Sequence, residues 1–181
     1  MRDSPVVLNV ECLSGSLEPL HLVVREEGGR RLWTLRERPV GGILRFTKFR
    51  SMLSLTLRMT GSGGDYVLYR PAGLFRSSYE VRRPGGEVLY RIAGRWRGWS
   101  LRDRDDFELA EVRYSNPFIV GVDRGVLTAR GGTRVVEYRL APLGFWSSRW
   151  EAELRFLGSR DEWEIPGVAL VAVRLAGKQG R

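Results

Sequence analysis

A chain of 181 residues fits one domain, or at most a domain with a small appendage, and needs no staples to bury a sizeable core. Its single cysteine, Cys12, excludes an intrachain disulfide framework and points to a reducing interior. The net charge of +9 excludes an acidic protein, and a basic one collects polyanions or anionic surfaces.

The first five residues are polar, and the apolar stretch after them stops at Val10 with Asn9 inside, which is not a signal-peptide pattern. Residues 6–10 read as a first strand. Residues 22–35 (LVVREEGGRRLWTL) read as a hairpin. Leu53, Leu55, Leu57 and Met59 alternate as a half-buried strand does, and Gly61-Ser62-Gly63-Gly64 ends it. Residues 66–69 make a further strand. Hairpins follow over 79–92 (YEVRRPGGEVLYRI) and 99–112 (WSLRDRDDFELAEV), and then strands over 118–122, 126–129, 135–140 and 150–156. Closely spaced short strands with turn signals between them indicate a barrel or a sandwich. No stretch is long enough to divide the chain, so one domain spans 1–181.

The three hairpins align without gaps. Their shared pattern is apolar, x, Val or Leu, Arg, two polar or Pro positions, Gly-Gly or Asp-Asp, and then a returning strand that resumes at Leu32, Leu89 and Leu109. Gly28-Gly29 and Gly85-Gly86 supply the positive φ of tight turns, and Asp105-Asp106 tolerate it next best. Arg25, Arg82 and Arg102 fall between inward positions and therefore point outward.

Residues 161–176 break the pattern. Pro166 suits the first position of a helix, and residues 168–173 are apolar on every side, though far short of the ~20 residues of a membrane span. The valines favour a central strand and the alanines a buried helix, so local reasoning leaves both open.

Hairpins such as YEVRRPGGEVLYRI and WSLRDRDDFELAEVRY, followed by the apolar segment IPGVALVAVRLA, resemble the tubby-like superfamily. Within it they are most similar to the LURP-one-related proteins and their scramblase relatives. The resemblance runs from about Leu20 to Ala176. It implies an all-β fold, a twelve-stranded antiparallel closed barrel over 5–160 around a central apolar helix over 165–176. It also implies a non-enzymatic protein that binds phosphoinositides through an outer basic patch. Scramblases carry a cysteine cluster, which this chain lacks, so scrambling is not implied.

His21 is the only histidine, which argues against a Ser-His-Asp triad, a metal cluster or a proton relay. Cys12, with no CxxC partner, reads as a buried structural thiol. No glycine pair fits a phosphate loop opening a helix. Asp103, Asp105, Asp106 and Glu108 hold oxygens enough for calcium, but Arg102 and Arg104 beside them would repel a cation. No catalytic residue, metal ligand or cofactor is therefore expected.

The basic residues are more suggestive. Lys48 and Lys178 are the only lysines. Such a bias follows from GC-rich coding, and arginine also suits bidentate phosphate contact. Nine arginines lie from Arg70 to Arg104 against Glu80, Glu87 and Asp103, and a second group joins Arg45, Lys48 and Arg50 to Phe46 and Phe49. Arg45, Lys48, Arg50, Arg82, Arg95, Arg97 and Arg102 are the expected anion-binding residues. The expected partner is an anionic phospholipid head group, for a soluble cytoplasmic protein at most peripheral to a membrane. A nucleic-acid-binding protein and a barrel holding a small apolar ligand are the alternatives.

Overall fold

The computed structural model describes residues 5–14, 18–38, 54–72, 78–95, 98–114, 122–143 and 149–179. Twelve antiparallel strands follow one another around a closed barrel, and the last pairs back onto the first. They are β1 (Val6–Cys12), β2 (His21–Glu26), β3 (Arg31–Glu37), β4 (Leu55–Gly61), β5 (Gly64–Arg70), β6 (Ser78–Arg82), β7 (Val88–Arg95), β8 (Gly98–Asp103), β9 (Glu108–Tyr114), β10 (Asp123–Ala129), β11 (Arg134–Pro142) and β12 (Trp150–Phe156). Among the described residues one helix, α1 (Arg160–Gln179), completes the fold. The strand expected over 118–122 falls almost wholly outside the described residues.

Alternation sorts each strand into an inner and an outer face. Leu8, Val10 and Cys12 of β1, Leu55, Leu57 and Met59 of β4, and Ala152, Leu154 and Phe156 of β12 are all buried. Cys12 is thus a core residue, its Sγ 3.6 Å from the Ser14 oxygens.

The three aligned hairpins are β2–β3, β6–β7 and β8–β9, and their register slips at one equivalent place, between Val24 and Arg25, Val81 and Arg82, and Leu101 and Arg102. Their turns share one hydrogen-bond pattern. Glu26 N–H donates to Arg30 C=O at 2.9 Å, while Glu26 C=O accepts from Gly29 N–H at 2.8 Å; Arg83 and Asp103 repeat this. Only the second member of each pair needs positive φ, at 80° for Gly29, 90° for Gly86 and 65° for Asp106. This is a type I turn closed by a bulge. The bulge corrects the alternation of the returning strand. Leu32, Leu89 and Leu109 are the extra residues, and Trp33, Tyr90 and Ala110 stand opposite the inward Val24, Val81 and Leu101.

β10–β11 is a fourth hairpin with the same slip, between Leu127 and Thr128, and the same turn bonds from Ala129, but in its turn both Gly131 and Gly132 take positive φ. Sequence comparison misses it because Thr128 replaces the arginine and Gly125 replaces an apolar residue. Gly125 is required: a Cβ there would lie 2.2 Å from Cε1 of Tyr138, whose ring takes the space.

The ambiguous C-terminal segment is a helix, and it threads the barrel. Residues 168–173 are buried around the full turn. Gly167 packs on Phe156 and Val136, at 3.5 and 3.6 Å from a would-be Cβ. Pro166 and Leu170 face Ile92, Trp99, Leu101, Val112 and Leu127 across a void of only about 10 Å³. On another side, Trp33 Nε1 donates to Glu164. The helix opens at Arg160 rather than at 165, so Pro166 sits inside it and forfeits the bond to the Glu162 carbonyl. Charged residues lie near its two ends. Arg160 pairs with Glu164 and, at 2.7 Å, with Glu26, while Arg174 Nε donates to the buried Asp123 at 3.0 Å.

Leu170→Ala should cost about 2–5 kcal/mol, read from the denaturant midpoint, because its contacts on the helix and the barrel wall cannot collapse together. Gly98→Ala should unfold the protein more readily than Gly85→Ala. A Cβ at Gly98 would lie 2.0 Å from the Val112 carbonyl, whereas one at Gly85 meets nothing within 4 Å.

Candidate anion-binding face

Of the seven expected residues, Arg82, Arg95 and Arg102 are placed on the outer surface; Arg45, Lys48, Arg50 and Arg97 lie outside the described residues. All three placed arginines are engaged. Arg82 pairs with Glu80 and stacks 4.5 Å over the Tyr69 ring. Arg95 pairs with Glu108, and Arg102 with Asp106 at 2.8 Å. Of these three side chains, Arg102 alone keeps a buried nitrogen, Nε, without a hydrogen-bond partner.

Their neighbours behave alike. Arg91 reaches Glu80 at 3.7 Å, Arg83 reaches Glu87 at 3.0 Å, and Arg104 reaches Asp105 at 3.5 Å. Arg70 turns to Tyr79, its guanidinium 5.8 Å from the ring centroid. The excess of charge between Arg70 and Arg104 is therefore smaller than the sequence count suggests. Asp105, Asp106 and Glu108 lie just past that stretch in the chain and fold back onto it. The repeated arginine does local work in the same way: Arg25 Nη1 donates to the Gly29 carbonyl at 3.2 Å and its Nε lies 3.6 Å from Glu11. The acidic turn is equally committed. Asp103 Oδ1 accepts the N–H groups of Asp105 and Phe107, both at 2.9 Å. Among the described residues no group of three or more ligating side chains could hold a metal ion.

An arginine without an ion pair among the described residues lies elsewhere, in a row that crosses five strands. The register runs His21, Arg36, Arg58, Val67, Arg82, from β2 to β6. Residues paired across antiparallel strands share a face, with Cβ atoms about 5 Å apart. Like charges that close are unfavourable unless something relieves them. Three other arginine pairs face each other in this way. Arg25 opposite Arg31 has Glu11, Arg91 opposite Arg102 has Glu80 and Asp106, and Arg139 opposite Arg124 has Glu153 across its other edge. The Arg36–Arg58 pair has no acid within its row. Arg58 reaches out of the row to Asp65 at 3.2 Å, and Arg36 has no ion pair among the described residues.

His21, at the end of the row, feels the same field. Burial, then the guanidinium groups of Arg36 and Arg31, hold its ring below its ordinary pKa of 6.5. The ring is therefore neutral at pH 7.

The sequence expectation misses Arg36, Arg58 and His21. Leu57 and Met59 alternate visibly around Arg58, so its outward direction is legible, but the register that sets it against Arg36 is not. Separately, no protein-family model, curated protein or solved structure matches the chain.

Arg36→Gln should raise stability by a few tenths of a kcal/mol at low salt, with the gain vanishing near 1 M salt as the repulsion is screened. Arg25→Gln, which removes paired contacts, should not raise it. Because the folded pKa of His21 lies below the unfolded one, protonation favours the unfolded chain. Stability should fall as pH drops below about 6.5 and level off once the folded ring is charged. His21→Gln should remove that component, measured as the pH dependence of the urea midpoint.

Proposed function

We propose that the protein is a non-catalytic β-barrel binding module whose outer basic face holds anionic phospholipid head groups. The observation that carries this reading is Arg36 set directly opposite Arg58, between His21 and Val67, with no carboxylate in the row. Opposed guanidinium groups are costly to the fold and suited to an anion, because each presents a planar fork of donors to phosphate oxygens. A head group seated on Arg36 would relieve the repulsion and satisfy the fork that has no ion pair among the described residues, with Arg58, held to Asp65, beside it.

Two further points support the reading. A helix fills the described barrel interior, so a partner is better sought on the outer wall than in a central pocket. The tubby-like resemblance points the same way, and twelve strands around an apolar helix are what that resemblance implies. Non-specific binding of single-stranded nucleic acid would want open aromatic faces along the basic track. The nearest described aromatic, Tyr69, is covered by Arg82.

Co-sedimentation with vesicles tests the proposal. The protein should pellet with phosphatidylcholine–phosphatidylserine vesicles at low salt and not with phosphatidylcholine alone. Each arginine near such a surface contributes about 1 kcal/mol. Arg36→Gln should therefore weaken partitioning roughly fivefold, while Arg95→Gln, which removes an already paired charge, should change it little. Equal pelleting with neutral and anionic vesicles would overturn the reading.

A further inference from the structure

The cationic row ends on a group that can be switched. His21 is the chain's only histidine, and its register partner is Arg36, the arginine without an ion pair among the described residues. The ring is half-buried on the outer face at the start of β2. Its backbone is fixed on both sides. His21 N–H donates to Ser14 Oγ at 3.0 Å, and its carbonyl accepts from Leu13 N–H at 2.9 Å. Across from it on β3 stand Arg36 and, further along, Arg31. The acid of that strand, Glu37, is turned to the Leu20 N–H at 2.7 Å. The charged groups that act on the ring are thus both cations.

Resting on the reading of the row as an anion site, we propose that His21 is a proton-gated ligand of that site. Protonated, it adds a third cation beside Arg36 and Arg58, so an anion bound there takes up a proton on the imidazole ring. The chemistry follows from the field at the ring. Without an anion, burial first and then two guanidinium groups oppose the imidazolium and hold the ring below its ordinary pKa. A phosphate group seated at Arg36 and Arg58 offsets the Arg36 part of that field and accepts a hydrogen bond from the ring N–H. Both changes favour the charged ring. By linkage, a group whose pKa rises on binding makes binding tighter as pH falls through its values in the bound and then the free state. The anion is defined here by its phosphate. A lipid head group and a free phosphate would act alike on the ring, and only the former would bring the protein to a surface.

With one histidine in the chain, its ring NMR signal is read without assignment. In the free protein the ring should titrate below the ordinary value, and Arg36→Gln should raise that midpoint. Adding inorganic phosphate, or phosphatidylserine-containing vesicles, should move the wild-type midpoint upward and the Arg36→Gln midpoint much less. Vesicle binding should tighten about fivefold from about pH 7.5 to about pH 5.5, the worth of one added cation near an anionic surface. His21→Gln should keep the binding seen at about pH 7.5 and lose the tightening. That variant also subtracts the ionisation of phosphate itself.

A midpoint that does not move with either anion, or a His21→Gln protein that tightens as the wild type does, overturns the proposal. If binding still depends on Arg36 and Arg58, the lipid reading survives that failure. A midpoint that moves with inorganic phosphate but not with vesicles upholds the gating and overturns the lipid partner instead.

Discussion

The fold depends on filling a cylinder. A sheet of twelve strands closes around an interior wider than its own inward side chains can occupy, since about eight strands is the size that side chains alone fill. The apolar turn of residues 168–173, with Ala169 and Ala172 allowing close approach, occupies that space and is buried on every side by it. Each part satisfies the other. An all-round apolar helix has no stable place on a surface, and a twelve-stranded barrel has no dry interior without a plug. Glu164 bonds Trp33 near one end and Arg174 bonds Asp123 near the other, tying the helix to the wall at both.

Four hairpins of one design build much of the wall. In each, the turn with its bulge sharpens the local twist and shifts the returning strand by one residue, and in three of them the turn is type I. The arginine beside the slip is then available to the turn or to a neighbouring strand: Arg25 serves Gly29 and Glu11, and Arg102 serves Asp106. The recurrence of that arginine is thus explained by local pairing, and it does not by itself mark a ligand site. Thr128 in the fourth copy shows that the turn closes without it.

Charge on the outer wall divides into compensated and uncompensated parts. From Glu80 to Glu108 the arginines and acids interleave within turns and across adjacent strands, and the exposed pairs among them are individually weak. On β2 to β4 the same alternation sets His21, Arg36 and Arg58 side by side without an acid in the row. Net charge says that a surplus exists, and register says where it is concentrated.

The sequence by itself determined the strands, the tight turns and the outward direction of the arginines, because period-two alternation and the φ of Gly29, Gly86 and Asp106 are local properties. It also carried the resemblance from which a closed barrel around a helix follows. It could not choose helix or strand for residues 168–173, since Val and Ala pull oppositely and only an enclosing wall makes an all-round apolar helix stable. The bulge hid itself likewise: Leu89 and Leu109 look like inward residues until the slip hands that role to Tyr90 and Ala110, while Leu32 stays buried beside Trp33. The fourth hairpin escaped notice because the space filled by an apolar side chain at Leu22 is filled at Gly125 by Tyr138, from the partner strand. Which arginines are neutralised and which face one another was decided by tertiary structure alone. Charge pairing across a sheet depends on the register between strands, and Arg36 and Arg58 become neighbours only when β3 and β4 are joined.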